Sequence, residues 1–530
     1  MPVVERRWTA LCALSAVLLA GCTATPSNNQ AQVQPRVEQR GPAGPVPAGL
    51  ERYYAQKLTW ESCDGYAVSS EQREAFQRRT VECARMTVPL DYAKPGARDI
   101  TLGLLRRPAT DKANRVGSAV LNPGGPGASG MAAAAGMSGQ VRDNDLGKRF
   151  DLVGFDPRGV GASQPEVRCL TDAERDELRL DTDLDYSPAG VAASEAEEKD
   201  YATKCAERTG TDVLANIGSR DVAKDLDVMR SALGDEKLTY IGYSYGTRIG
   251  TVYAETFPGN VRAMVLDGAV DPDQDPNTEL VAQGAGFQKA FDAFSRWCAQ
   301  RFDCALGTDA TQTAKVFQRL VRPLAEKPIA LKDGRKLSYG DAVTAVIQTL
   351  YAETLWEGLN NGLNQLSKGG GEVLMSLADS YNGRGTDGRY SNINDAFSAV
   401  RCVDDARTSE RTVRADVERR YRQAAPFLDD GSPVVGYLDA CAFWPAPVSA
   451  QPLRADLPGL PQLLVVSTTG DPATPHEAGI KLARVLRARL LTQDATRHTG
   501  FLSGNSCVDA AGIAYLVDLK VPAEGARCAG

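Results

Sequence analysis

A chain of 530 residues, 43% hydrophobic and 24% charged, has the makeup of a soluble globular protein with a sizeable core. Its net charge of −7, with no Lys/Arg stripe interleaved with aromatics, excludes nucleic acid as an expected partner. Two histidines and no C-x-x-C pair argue against a zinc site, so neither metal nor cofactor is expected.

The chain opens on a targeting pattern. Arg6 and Arg7 precede an apolar run from Trp8 to Ala20, too short for a comfortable membrane span. The run ends Leu19-Ala20-Gly21-Cys22, which resembles the lipobox of bacterial lipoproteins and implies lipidation of Cys22 as the mature N-terminus. Residues 1–22 are therefore expected to be a lipoprotein signal peptide, with an ordinary secretory leader as the alternative. Residues 23–50, rich in Pro, Gln and Asn, read as a flexible tether.

Setting aside Cys12 and Cys22, ten of the twelve cysteines remain: Cys63, Cys83, Cys169, Cys205, Cys298, Cys304, Cys402, Cys441, Cys507 and Cys528. An even number in an exported chain suggests a disulfide framework. Sequence leaves the pairing open, and pairing in order would close five local loops.

Beyond the tether the chain alternates strands and helices. Arg85–Val88 and Ile100–Arg106 read as an antiparallel pair, and Ser118–Leu121 as a short buried strand running into Asn122–Gly127. Phe150–Phe155 is a further strand, followed by Asp156–Ser163, and Asp221–Leu233 is helical with Val222, Leu226, Met229 and Leu233 on one face. A β-type run from Lys237 enters Gly242-Tyr243-Ser244-Tyr245-Gly246, then a helix over 247–256 and a strand over Val261–Leu266. Between 271 and 457 the rhythm changes to helices, over 287–302, 311–325, 339–368 and 408–424. The alternation resumes with a strand over 462–467, a helix over 476–490 and a last strand over 491–497. This order predicts an α/β class, a mostly parallel sheet covered on both faces, split as 51–270 and 458–530 around a helical cap insertion, 271–457.

Gly242–Gly246 is a G-x-S-x-G pattern in a strand–turn–helix setting, where the tight turn strains Ser244 and excludes side chains two residues either side. A serine hydroxyl needs a base within reach and a group to orient that base. Of the two histidines, His498 sits in a turn past the last expected strand, whereas His476 begins a helix and is expected to face solvent or the cap. Asp471, between Gly470 and Pro472 directly after an apolar strand, is the favoured acid, with Thr474 helping to hold its turn and Asp267 and Asp271 as rivals. The amides of Tyr245 and Gly125 are the expected oxyanion donors; Pro126 has none to give.

Together Asn122–Gly127, Asp156–Ser163, Gly242–Gly246, Val265–Pro272, Gly470–Pro475 and the early Tyr53–Trp60…Cys63 run resemble the α/β-hydrolase serine peptidases of the proline iminopeptidase clan. The likeness is strongest to secreted tripeptidyl aminopeptidases and related lipoprotein peptidases of actinobacteria. It implies an α/β-hydrolase fold, a metal-free Ser–Asp–His mechanism, release of short peptides from free N-termini, and a cap shaping the entrance. Ester cleavage also occurs in that family. Arg497 departs from the glycine that relatives often carry before the histidine.

An aminopeptidase must pair a substrate ammonium with carboxylates. Asp404, whose loop Cys402 would anchor, and Glu353 are the candidates, with Asp405 and Glu357 beside them. The expected partners are thus peptides and, through Cys22, a membrane. Esterase chemistry on the same triad and a non-catalytic binding lipoprotein are the competing readings.

Overall fold

The computed structural model describes residues 34–78, 80–180, 185–273, 275–449, 451 and 457–530. Cys22, the leader and the first part of the tether lie outside these residues. From Arg36 onward the expected tether is held in place. Arg36–Glu38 pairs antiparallel with Leu58–Trp60, Arg40 bonds Asp151, and the Ala43 amide donates to Ser231.

Among the described residues nine strands form one sheet. They are β1 (Glu82–Pro89), β2 (Asp99–Arg107), β3 (Gly117–Asn122), β4 (Phe150–Phe155), β5 (Leu238–Tyr243), β6 (Val261–Asp267), β7 (Leu464–Thr468), β8 (Arg489–Gln493) and β9 (Arg527–Cys528). The spatial order is β9-β8-β7-β6-β5-β3-β4-β2-β1, and every pairing from β4 across to β9 is parallel. Only β1–β2 and β2–β4 run antiparallel. In β3, β4 and β5 all six residues are buried, as strands covered on both faces require. Two apolar clusters, one holding Tyr240 and Leu266 and the other Ile241 and Val265, fill those faces.

The longer helices follow in chain order: α1 (Gly130–Met137), α2 (Pro188–Thr209), α3 (Ser219–Ala232), α4 (Tyr245–Thr256), α5 (Pro276–Ala299), α6 (Thr313–Val321), α7 (Tyr339–Leu350), α8 (Trp356–Leu366), α9 (Glu372–Asn382), α10 (Ile393–Asp404), α11 (Arg411–Ala424), α12 (His476–Val485) and α13 (Ser506–Asp518). Helices α5 to α11 fall between β6 and β7. They enclose a third apolar cluster in which Phe291 stacks on Phe427 at 4.4 Å.

Several expected elements are corrected. The single helix expected over 339–368 is two, because the Tyr351 carbonyl accepts the His498 amide and Ala352 bridges Arg497. The helix expected to reach Leu490 stops at Val485, and Arg487 adopts φ 50° to turn the chain into β8. The last expected strand, over 491–497, accordingly begins earlier, at Arg489. Helices α1, α2, α9, α10 and α13 and strand β9 were not foreseen.

The disulfides pair in order: Cys63–Cys83, Cys169–Cys205, Cys298–Cys304, Cys402–Cys441 and Cys507–Cys528. No helix among the described residues is long and apolar enough to cross a membrane.

Arg158, in the loop after β4, is 2% exposed and makes two bonds to the buried Asp225 carboxylate of α3, at 2.6 and 2.8 Å. It also donates to the carbonyls of Pro89, Leu90 and Asn216. Asp225→Ala would strand this guanidinium without a counter-charge, so thermal unfolding should show a loss of about 3–5 kcal/mol.

Candidate active site

Strand β5 delivers Ser244 to the top of the sheet at φ 52°, ψ −127°, a left-handed conformation costly for any side chain. The glycines around it are demanded by space. A Cβ at Gly242 would lie 2.6 Å from the Gly246 carbonyl oxygen, and one at Gly246 would lie 2.7 Å from that of Asn122. Gly124, at φ 90°, packs as closely: its Cβ would stand 2.5 Å from the Tyr243 oxygen and 2.7 Å from the Tyr245 amide. The loop carrying Gly125 therefore lies against the first turn of α4. There the amides of Gly125 and Tyr245 are the expected oxyanion donors.

The turn after β7 presents Asp471, whose Oδ1 accepts the amides of Ala473 and Thr474 at 2.9 and 2.8 Å. Its Oδ2 accepts the Thr474 hydroxyl at 3.0 Å. The carboxylate also faces His498 Nδ1, at 2.9 Å through Oδ1 and 3.0 Å through Oδ2. The His498 side chain is 10% exposed, and Tyr351 of the cap meets its ring edge-on at 5.3 Å. Burial pulls the His498 pKa down, but the Asp471 charge and hydrogen bond, aided by Asp267, outweigh it and leave the group above its ordinary value.

Ser244 and His498 flank one turn. The Ser244 amide donates to the Asp267 carbonyl at 2.9 Å, and a Cβ on the next residue, Gly268, would come within 3.1 Å of His498 Cε1. The two rival acids are engaged elsewhere. Asp271 pairs with Lys481 at 2.8 Å, and the Asp267 carboxylate accepts the amides of Gly500 and Phe501. His476 does begin a helix and is partly exposed, and its Nδ1 lies 2.8 Å from Ser467 Oγ on β7. Arg497 is accommodated because its Nε donates to the Thr499 carbonyl across the histidine turn.

The two carboxylates expected at the substrate ammonium part ways. Asp404, 2% exposed, accepts the Ser219 amide at 2.9 and 3.1 Å, the Ser449 hydroxyl and the Tyr245 hydroxyl. Those bonds occupy both of its oxygens and leave no face for a ligand. Asp405 is likewise engaged, by Arg248 and Arg401. Glu353 is exposed in a turn two residues past Tyr351, at the edge of the histidine loop, and Glu357 pairs with Arg301.

Sequence reasoning missed Asn392, which donates to the carbonyls of Gly159 and Val167 and accepts the Gly161 amide, tying the cap to the loop after β4. No local signal marks such a residue; only the fold brings 392 beside 159. A cavity of about 360 Å3 adjoins the acid turn, lined in part by Asp271, Glu279, Thr474 and Lys481. Among the described residues no group of three or more His, Cys, Asp or Glu is placed to hold a metal ion.

The family profile described as the α/β hydrolase fold matches residues 120–504. A protein named "Serine protease Hip1" from Mycobacterium tuberculosis is 42% identical over 98% of this chain and 97% of its own. "Carboxylesterase B" of the same organism is 44% identical over 97% and 95%. "Tripeptidyl aminopeptidase" from Streptomyces lividans is 31% identical over 85% and 84%. With its elbow serine at the head of a mostly parallel sheet and this breadth of likeness, the chain belongs to the α/β-hydrolase fold family.

Proposed function

We propose that this protein is an extracytoplasmic serine exopeptidase that cleaves short peptides, tripeptides foremost, from free N-termini. The observation that carries the reading is the Asp471–His498 pair set against the turn that holds Ser244, beneath a cap that touches each of these loops. Ser244 Oγ attacks the scissile carbonyl, and His498 Nε2 takes its proton. The tetrahedral oxyanion is held by the amides of Gly125 and Tyr245. His498 returns the proton to the leaving amine, and water then releases the acyl group by the same path. Asp471 keeps Nδ1 protonated, orients the ring and stabilises the imidazolium.

The peptidase reading draws support from the relatives named serine protease and tripeptidyl aminopeptidase. Five disulfides support an oxidising compartment, and Cys22, outside the described residues, is proposed as the lipid anchor on the outer face of the membrane. Glu353 remains as the proposed partner of the substrate ammonium. The relative named carboxylesterase favours one alternative, ester hydrolysis by the same three residues.

Replacing Ser244 or His498 by alanine should lower kcat by about 10⁴–10⁶-fold and leave His476→Ala near wild type. Turnover surviving His498→Ala would remove it as the base. The base must be neutral, and its pKa is raised, so activity falls as pH drops through a value above the ordinary histidine figure of about 6.5. A kcat/KM profile should therefore show an acid limb centred above that value; a midpoint below it contradicts the pairing with Asp471. Free tripeptidyl substrates should be cleaved while their N-acetylated forms are not, and Glu353→Gln should raise KM for the free peptide alone. Equal cleavage of both forms would indicate an esterase or endopeptidase.

A further inference from the structure

Asp267 closes β6 and is fully buried, yet the chemistry above leaves its side chain unused. Its carbonyl accepts the Ser244 amide at 2.9 Å, while its Oδ2 accepts the Gly500 and Phe501 amides at 2.8 and 2.7 Å. One residue thus holds the nucleophile through its backbone and the loop of the base through its side chain. That loop is strained: Thr499 and Leu502, on either side of the two bonded amides, sit at φ 65° and 55°. Four consecutive amides in it point at three carboxylates, Thr499 at Asp471, Gly500 and Phe501 at Asp267, and Leu502 at Asp509. The described residues offer no hydrogen bond to Asp267 Oδ1.

We propose that Asp267 is a positioning residue whose carboxylate pins the His498 loop and supplies a second negative charge behind the imidazole. Asp471 touches the ring; Asp267 acts through the loop and through space. The groups facing this pair are Asp471 and Thr474 from the acid turn, Tyr351 from the cap, Tyr243 from β5 and Asp509 from α13. Among these groups Asp471 and Asp509 are the carboxyl groups beside Asp267 itself. Burial pushes the Asp267 carboxyl up to about 7 despite its two amide bonds, so the second charge is present above that pH and fades below it.

The inference rests on the Ser244–His498–Asp471 reading, and the test separates the two. Labelling of Ser244 by a fluorophosphonate is followed against pH in the wild type and in Asp267→Asn, whose amide oxygen can still accept both loop amides. The expected result is a roughly 10–100-fold slower labelling rate and an acid limb shifted down by at least about half a pH unit. A wild type that is not labelled overturns the triad reading; a labelled wild type with an identical variant overturns this inference alone. Should the variant fail to fold, imidazole NMR of Asp471→Asn decides, since the chain has only two histidines. With Asp267 still in place, His498 should titrate above His476 there, and titration at or below His476 refutes the proposal.

Discussion

A serine held at φ 52° is the constraint around which this molecule is arranged. Such a residue persists only where its surroundings over-determine it. Here Gly124 presses on the elbow from one side, the Asp267 carbonyl receives the Ser244 amide from another, and the Thr247 hydroxyl donates to the Ser244 carbonyl at 2.7 Å. Each of these partners stands at the carboxyl end of a strand or the start of a helix, so the parallel sheet must be complete before the strain is borne.

The cap takes part in the same arrangement. Its helix α10 starts against Gly127, with the Ile393 carbonyl oxygen 2.7 Å from where a Cβ would be, and ends with Asp404 bonded to the Tyr245 hydroxyl. Helix α5 lies on the acid turn, where Gln283 donates to the Ala473 carbonyl. Tyr351 receives the His498 amide. The Gly125 loop, the elbow, the Asp471 turn and the His498 loop therefore each have a contact in the insertion, which makes its helices part of the scaffold of the proposed site.

What could be read in advance follows from range. The strands β3 to β7 announce themselves by short apolar runs ending in Gly, Pro or Asp, and these signals are local. The elbow was legible because its glycines answer a steric demand of five adjacent residues. The failures all have distant causes. The helix break at Tyr351 exists because residue 498 takes its carbonyl, and the end of α12 depends on a left-handed Arg487 where a glycine would have been the usual sign. Asp404 looked available because nothing nearby in sequence binds it; Ser219 and Tyr245 arrive from about 160 to 185 positions away. Asp267 shows the same limit, since its position after β6 suited an acid and only the folded loop reveals which amides it holds.

Among the described residues the ten cysteines pair in sequence order, each with its neighbour, at separations of 6 to 39 residues. A polypeptide threaded through a membrane from its N-terminus would expose these cysteines in the order in which they must join. An oxidase that simply couples each newly emerged thiol to the last one waiting would produce the native connectivity without any later shuffling. Such a topology suits export into a compartment that is rich in oxidant and poor in isomerase.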